Sequence, residues 1–223
     1  MNKITLTADG SNTLFNENIG EHYHSKHGAL QESKHVFVAA GLQYAIDRFP
    51  GQPISILEVG FGTGLNFLLS ADYAVDKHIA LQYTSLEAFP LRTEELESTG
   101  YGQYVPNSIW KGMLDNYGKA MQQFASIVPD QQLRIVHTYL HRYESNLAVD
   151  LIYYDAFSVQ HQPEMWTDEI IAHTCGFLKP GGIFVTYAIT GKLKRTLKSI
   201  GFSIEKLPGA PGKREMLRAI KTA

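Results

Sequence analysis

The sequence predicts an α/β fold built on a mostly parallel seven-stranded sheet that ends in an antiparallel hairpin. Short apolar runs rich in β-branched residues alternate with helix-compatible stretches along most of the 223 residues, as in chains built from strand–helix–strand units. Three glycines at alternate positions directly follow the first of these runs. The length and the 44% apolar content suit one substantial core, so we expect a single domain over residues 1–223.

The glycine turn lies between the first strand of this sheet and the helix that follows it. Residues 54–59 are typical of a buried strand, and a helix is predicted from residue 65. Glycine tolerates positive φ and lets a ligand approach the backbone, while amides at a helix N-terminus face that ligand. Glu58 stands two residues before the first glycine, whereas a dinucleotide fingerprint has its acidic residue on the following strand. The pattern resembles motif I of class I S-adenosylmethionine-dependent methyltransferases; the alternative is a turn whose glycines serve packing alone.

This resemblance implies a Rossmann-like class I methyltransferase fold with S-adenosyl-L-methionine as cofactor. The glycine turn would lie beneath the methionine and ribose, and Glu58 would fix the turn or reach the amino end of the cofactor. The second predicted strand, 80–86, is closed by Glu87, and an acidic side chain there can accept hydrogen bonds from both ribose hydroxyls. The predicted cofactor-binding residues are Glu58, Gly60, Gly62, Gly64, Asn66, Glu87 and Phe157.

The later strands place a second carboxylate at the same edge of the sheet. Asp155 ends the fourth predicted strand, and in doubly wound sheets ligands bind at the carboxyl ends of strands. Asp155 is therefore the best catalytic candidate. A Lys-Pro-Gly-Gly segment at 179–182 is expected to form a turn before the fifth strand. The third to seventh strands are predicted at 133–138, 149–155, 183–187, 202–207 and 213–220.

Residues 1–50 are expected to form an extension of loop and helix before the first strand. Residues 1–34 are polar and show little periodicity, whereas a helix is predicted over 32–49. Three histidines fall within 22–27, but neither a cysteine pair nor a His-Glu-x-x-His motif accompanies them, so we predict no metal site. We expect a loop over the pocket in which Tyr23 and His24 contact the substrate.

The formal net charge of −2 conceals an uneven distribution of charge. Residues 179–223 contain ten Lys and Arg against two Glu, a formal charge of +8, which leaves −10 on residues 1–178. A basic surface on an acidic body could bind a phosphate backbone. The alternative is a solvated, lysine-rich helix face, and composition does not decide between them. The basic substrate-binding candidates are Lys194, Arg195, Lys213 and Arg214.

Cysteine content and hydropathy indicate the compartment. Cys175 is the one cysteine, which excludes an internal disulfide framework and fits a reducing environment. No apolar run approaches the roughly 18 residues that a membrane helix needs, and the N-terminus has no apolar signal core. We therefore expect a cytoplasmic protein without a membrane partner.

Four segments occur together in a characteristic order: 60–68, 87–91, 155–166 and 213–217. They are similar to the methyltransferase domain of the MnmC family of bacterial tRNA wobble-uridine enzymes, and the resemblance extends from about residue 32 to residue 219. It implies methyl transfer from S-adenosyl-L-methionine to the primary amine of 5-aminomethyl-2-thiouridine at the tRNA wobble position. The expected partner is therefore tRNA.

The chain departs from this family at three points. Many members carry a fused FAD-dependent oxidoreductase domain that exposes the amine, and 223 residues leave no room for it, so a separate protein is expected to supply the aminomethyl intermediate. Segments 158–162 and 139–143 also differ from the family pattern, which bears on the substrate more than on the cofactor. Two alternatives therefore stay open: a methyltransferase of a small molecule or protein, and a non-enzymatic Rossmann-like binding module.

Overall fold

The computed structural model describes residues 2–146 and 148–222. The strands are β1 (Asn2–Leu6), β2 (Asn12–Asn16), β3 (Glu21–His22), β4 (Ile54–Val59), β5 (Leu81–Glu87), β6 (Ala125–Val128), β7 (Gln131–His137), β8 (Val149–Tyr154), β9 (Leu178–Thr186), β10 (Phe202–Pro208) and β11 (Glu215–Lys221). The α-helices are α1 (Ala29–Glu32), α2 (Tyr44–Arg48), α3 (Leu65–Asp76), α4 (Thr93–Ser98), α5 (Asn107–Ala120), α6 (Asp168–Gly176) and α7 (Gly191–Ser199). A π-helical segment, Ser33–Gln43, joins α1 to α2. Short 3₁₀ turns lie at Tyr101–Gln103, Leu140–Arg142 and Pro163–Trp166.

The main sheet confirms the predicted fold class and the terminal hairpin, but not the strand count. Its strand order is β10-β11-β9-β8-β4-β5-β7-β6, which makes eight strands within the described residues rather than seven. The five central strands, β9, β8, β4, β5 and β7, are parallel, and β11 pairs antiparallel with both β9 and β10. The additional strand is β6, which pairs antiparallel with β7. Strand β6 has only four residues, and so short a strand gives little periodic signal.

Both faces of the central sheet are buried, which explains why β4 is apolar along its length. Ile54 and Ile56 belong to one buried cluster, and Leu57 and Val59 belong to the other. Successive side chains of a strand point to opposite faces, so the two clusters lie on opposite sides of the sheet. Helix α3 and the π-helical segment pack together and supply residues to the first cluster, whereas α6 and α7 supply residues to the second.

The topology brings the ends of β4 and β8 together. Strand β4 pairs with β5 on one side and with β8 on the other, so the strand order reverses at β4. In α/β sheets a crevice opens at such a point, at the carboxyl ends of the strands. The Asp155 N–H donates to the Val59 carbonyl at 3.1 Å, and the Gly60 N–H donates to the Leu86 carbonyl at 2.9 Å. The glycine turn and Asp155 are therefore neighbours.

The N-terminal segment is more regular than its sequence suggested. Strands β1, β2 and β3 form a separate antiparallel sheet, although this segment was expected to be irregular. Antiparallel neighbours can pair locally without a strongly apolar face, so polar composition did not reveal these strands. The small sheet is tied to the main body because Asn12 Nδ2 donates to the Thr99 carbonyl at 3.0 Å and the Tyr101 hydroxyl donates to the Asn12 carbonyl at 2.8 Å.

Two predictions near the C-terminus were wrong in position. Residues 179–182 do not form a turn before a strand but lie inside β9, next to a register shift between β9 and β8. The final strand begins at Glu215, so Lys213 and Arg214 lie in the loop between β10 and β11. Among the described residues, each helix is too short or too polar to span a bilayer.

Candidate active site

All three glycines of the turn adopt positive φ: +91° at Gly60, +50° at Gly62 and +76° at Gly64. A Cβ atom on Gly60 would lie 2.9 Å from the backbone oxygen of Asp155, and one on Gly62 would lie 2.9 Å from Cδ1 of Tyr23. Backbone conformation and close packing thus already require glycine at these two positions. Both residues also line a cavity. The packing interpretation and the ligand-binding interpretation of the turn are therefore compatible.

A cavity of about 800 Å³ opens at the carboxyl edge of the parallel strands. Its walls come from the segments that follow β4, β5, β7 and β8 and from the N-terminal segment. The predicted site residues that line it are Tyr23, His24, Gly60, Gly62, Glu87, Asp155, Phe157 and Lys213. In the described part of the chain, the wall does not include the other predicted residues, namely Glu58, Gly64, Asn66, Lys194, Arg195 and Arg214.

A buried amide joins two of the predicted carboxylates. Asn66 Nδ2 donates to Glu58 Oε1 at 3.0 Å and to Asp155 Oδ2 at 2.8 Å. The Ser33 hydroxyl donates to Asn66 Oδ1, which fixes the orientation of the amide. Glu58 is fully buried and accepts a second hydrogen bond from the Ser85 hydroxyl at 2.8 Å. Glu58 therefore orients Asn66 from behind the turn, and Asn66 fixes one oxygen of Asp155 at the cavity wall.

The surroundings of the two carboxyls favour their protonated forms. Burial raises the pKa of Glu58 well above its usual range, and the nearby Asp155 charge adds to this effect. Burial also raises the pKa of Asp155 to about 8, with a further contribution from the Glu32 charge, while the Asn66 hydrogen bond and Lys213 oppose the shift. A cationic group in the cavity would favour ionised Asp155, because opposite charges stabilise each other. Asp155 is therefore suited to exchange a proton or to hold a cation near neutral pH.

Glu87 connects the glycine turn to the loop after β5. Its Oε2 accepts the Gly62 N–H at 2.9 Å, and its Oε1 accepts the Phe89 N–H at 2.8 Å. The buried side chains of Leu86 and Leu140 line the cavity beside it. A carboxylate next to an apolar floor is a suitable place for a ribose with a flat ring attached.

Lys213 lies in the cavity wall, where it contacts protein groups that the sequence did not associate with it. Its ammonium donates to Glu32 Oε2 at 2.8 Å and lies 3.7 Å from the centroid of the Tyr187 ring. Glu32 also accepts the Ser25 N–H at 3.0 Å. These contacts link the N-terminal segment to the loop between β10 and β11. The expectation of an exposed phosphate contact therefore fits Arg214, which is exposed, better than Lys213.

Glu21, Glu32 and Tyr187 also line the cavity, although no sequence pattern indicated them. Glu21 Oε2 accepts the Ser158 N–H at 2.8 Å, which ties β3 to the loop after Asp155. Tyr187 donates its hydroxyl hydrogen to the Ala156 carbonyl at 2.9 Å. None of the three belongs to a motif. For Glu32, the only signal was a carboxylate at the start of the predicted helix 32–49.

Tyr23 and His24 lie between the N-terminal segment and the glycine turn. The Tyr23 ring makes an edge contact with Phe157, with 5.2 Å between the ring centroids. His24 is buried, and its Nε2 lies 2.6 Å from the Thr63 hydroxyl. Burial lowers the pKa of His24 to about 4, so this imidazole is neutral at physiological pH. Tyr23 therefore lies over the turn, whereas His24 anchors the segment that carries it.

The residues of the cavity fit S-adenosyl-L-methionine, the cofactor predicted from the sequence. The Glu87 carboxylate and the apolar floor suit a ribose and an adenine, and Gly60 and Gly62 form a side of the cavity without side chains. Glu21, Glu32 and Asp155 also line the cavity and outnumber its lysines, Lys26 and Lys213. This excess of acidic groups suits a cationic sulfonium. When bound, this cofactor supplies a methyl group on positively charged sulfur.

The parallel sheet, the glycine turn and the carboxylate at the end of β5 define a class I S-adenosyl-L-methionine-dependent methyltransferase. Comparison with protein families agrees, because residues 106–222 match the family described as S-adenosyl-L-methionine-dependent methyltransferase. The chain belongs to this family, which confirms the predicted cofactor and enzyme class. The hypothesis of a non-enzymatic binding module is thereby set aside.

The relatives include the MnmC proteins that the sequence resembles. The tRNA 5-methylaminomethyl-2-thiouridine biosynthesis bifunctional protein MnmC of Hydrogenovibrio crunogenus is 30% identical over 87% of this chain and 30% of its own length. The protein of the same name from Aromatoleum aromaticum is 28% identical over 97% of this chain and 35% of its own length. The chain thus spans about a third of the length of these relatives. The crystal structure of MnmC2 from Aquifex aeolicus superposes with a TM-score of 0.74 at 25% identity, covering 98% of this chain and 70% of that one.

Proposed function

We propose that the protein transfers a methyl group from S-adenosyl-L-methionine to the primary amine of 5-aminomethyl-2-thiouridine at the wobble position of tRNA. The names of the MnmC relatives support this substrate. In this proposal residues 1–223 act as one methyltransferase domain in the cytoplasm, and a separate protein supplies the aminomethyl intermediate. The proposed cofactor-binding residues are Glu87, Gly60, Gly62, Gly64 and Phe157, with Glu58 and Asn66 supporting them.

The observation that carries the proposal is the group of carboxylates around Asp155. Glu21, Glu32 and Asp155 line the same cavity, where Lys26 and Lys213 contribute the opposing charge. Such a site favours a cationic amine over a neutral or anionic acceptor. An alkyl ammonium has a pKa of roughly 10, so it must lose a proton before its nitrogen can attack the methyl carbon. Asp155 first holds the ammonium and then takes the proton, while Asn66 keeps the carboxylate in place.

Nucleosides from tRNA provide the direct test of the substrate. We expect tRNA from cells that lack the gene to lose the methylaminomethyl group of the wobble uridine and to accumulate the aminomethyl form. Mass spectrometry of digested tRNA measures both nucleosides, and adding purified protein with S-adenosyl-L-methionine to that tRNA should restore the product. An unchanged nucleoside profile would contradict the proposal and favour a small-molecule or protein substrate.

A second prediction concerns the basic residues outside the cavity. Helix α7 follows β9, and the loop that holds Arg214 follows β10, which runs parallel to β9, so both begin at the same edge of the sheet as the cavity. Arg195 and Arg214 are exposed, and Lys194 is half-buried. We expect replacement of Lys194, Arg195 and Arg214 by Gln to weaken tRNA binding and to lower the slope of log K against log salt by about 2 to 3.

The measurement is tRNA affinity at several salt concentrations. Lys119→Gln is the matched control, since Lys119 is an exposed lysine on α5. The control should leave the slope unchanged. If the triple variant keeps the slope of the unmodified protein, the basic surface is only a solvated helix face and phosphate contacts must be sought elsewhere.

A further inference from the structure

An exposed aromatic cluster lies at the mouth of the cavity, on the loops after β5 and β7. We call Phe89, Tyr139, His141 and Arg142 the rim cluster. Phe89 is 63% exposed and Tyr139 is 44% exposed, and they are the two aromatic side chains among the exposed large hydrophobic residues in the described part of the chain. Their rings are in edge contact, 5.9 Å apart. Tyr139 also stacks on His141 at 5.6 Å, and the Arg142 guanidinium lies 5.3 Å from the Tyr139 centroid.

The two loops that carry the rim cluster are held together by hydrogen bonds. His137 Nε2 lies 3.1 Å from the Ala88 carbonyl oxygen, and the Thr138 N–H donates to the Glu87 carbonyl at 3.1 Å. The Arg142 N–H donates to the Tyr139 carbonyl at 2.9 Å within the 3₁₀ turn. The exposed rings therefore form a fixed surface before any ligand arrives, which lowers the entropy cost of binding.

The rim cluster adjoins the part of the cavity that suits the cofactor and extends from it into solvent. Leu86 and Leu140, both buried, form the apolar floor next to Glu87. Phe89, Tyr139 and His141 also line the cavity, but Phe89 and Tyr139 keep much of their surface in solvent. Both rings therefore present surface to solvent at the edge of the cavity.

The chemistry of the rim cluster matches an unpaired nucleobase. Proteins bind unstacked bases by stacking them on aromatic side chains and on arginine guanidinium planes, and the positive charge of arginine also attracts the phosphate backbone. The rim cluster offers both groups within one contiguous surface. Three of its residues, Tyr139, His141 and Arg142, belong to the segment 139–143, one of the two places where the sequence departs from the MnmC pattern.

We propose that the rim cluster binds an unpaired nucleobase adjacent to the methyl acceptor in the loop of the RNA substrate. This inference rests on the proposed tRNA function. Asp155 follows β8, whereas the rim cluster follows β5 and β7, which are two and three strands away in the sheet. That separation is roughly 10–15 Å, a span that neighbouring nucleotides of an extended loop can cover. The rim cluster thus positions the loop while the acceptor nucleotide enters the cavity.

The test is a thermodynamic cycle between protein and RNA variants. The protein variants are Tyr139→Ala and Phe89→Ala, with Tyr139→Phe as the conservative variant and Leu6→Ala, at a 70% exposed position on β1, as the control. The RNA is an anticodon stem-loop, either intact or with a single abasic residue at each loop position in turn. Affinity for each RNA is measured by fluorescence anisotropy, and affinity for S-adenosyl-L-methionine by calorimetry.

We expect each alanine variant to bind the intact stem-loop roughly tenfold more weakly, since stacking of one base contributes about that much affinity. At one loop position, combining Tyr139→Ala with the abasic residue should weaken RNA binding no more than either change alone. Tyr139→Phe and Leu6→Ala should bind the stem-loop normally, and all four variants should bind the cofactor within about twofold of the original protein.

Four results would overturn the inference. Weaker cofactor binding with unchanged RNA binding would assign the rim cluster to the adenine. Additive losses at every loop position would show that Tyr139 contacts no base. Failure of the unmodified protein to bind the stem-loop would refute the tRNA function itself and the rim inference with it. If both alanine variants methylate RNA normally and bind the stem-loop with unchanged affinity, the rim inference alone is refuted.

Discussion

Replacing Asp155 by Asn is expected to lower kcat by roughly 10²–10⁴-fold while S-adenosyl-L-methionine still binds. Asp155 lines the cavity at the carboxyl end of β8, and the Asn66 amide holds its Oδ2 at 2.8 Å. An asparagine keeps the size of the side chain but can neither neutralise an ammonium nor accept its proton. Single-turnover methylation of tRNA measures the chemical step, and calorimetry measures cofactor affinity.

The control for this variant is Asp115→Asn, which changes an exposed carboxylate on α5. Its kcat should equal that of the original protein. If Asp155→Asn keeps normal turnover, Asp155 is not the catalytic group. If the variant loses turnover only because the cofactor no longer binds, Asp155 belongs to the cofactor site instead.

The same variant should also change how stability depends on pH. The pKa of Asp155 is raised from 3.8 to about 8 in the folded protein. Between these two values the folded protein retains a proton that the unfolded chain has lost, so this carboxyl favours folding at low pH and loses that contribution as pH rises through about 8. We expect the Tm difference between Asp155→Asn and the original protein to shift in favour of the variant as pH rises. A Tm difference that does not change with pH would contradict the raised pKa.

The parts of the site that could be predicted from the sequence share one physical origin. The carboxyl ends of parallel strands meet at one edge of the sheet, so Glu87 and Asp155, which end or follow such strands, had to come close to the glycine turn. The turn itself follows from the spacing of its glycines. These predictions needed only strand direction and local backbone conformation.

The remaining parts depend on how long segments pack against the sheet, which periodicity does not encode. Glu21 and Glu32 reach the cavity because the N-terminal segment passes over the glycine turn, and Lys213 reaches it through the loop between β10 and β11. The contact between Glu32 and Lys213 joins residues 181 positions apart in the chain. Local patterning describes neither segment's path, so a phosphate role was assigned to Lys213 on charge alone.

Replacing Gly60 by Ala is expected to destabilise the fold by about 2–4 kcal/mol and to abolish measurable cofactor binding. The φ of Gly60 is +91°, which side chains disfavour, and the new Cβ would lie 2.9 Å from the backbone oxygen of Asp155. Relief of that contact must move either the turn or Asp155, the residue that follows β8. Both movements change the distance between the glycine turn and the Asp155 carboxylate, so binding and stability should fall together.

The matched substitution is Gly118→Ala on α5, where no atom lies within 4 Å of the added Cβ. Alanine there should be neutral or stabilising by up to about 1 kcal/mol, because glycine is the weaker helix former. Thermal unfolding and calorimetry with S-adenosyl-L-methionine compare the two variants, and we expect the Tm of Gly60→Ala to fall by roughly 5–15 °C. A Gly60→Ala protein that melts normally and binds the cofactor would mean that the carboxyl ends of β4 and β8 can move apart without affecting the site. The close approach of turn and carboxylate would then not be what positions the methyl donor against its acceptor.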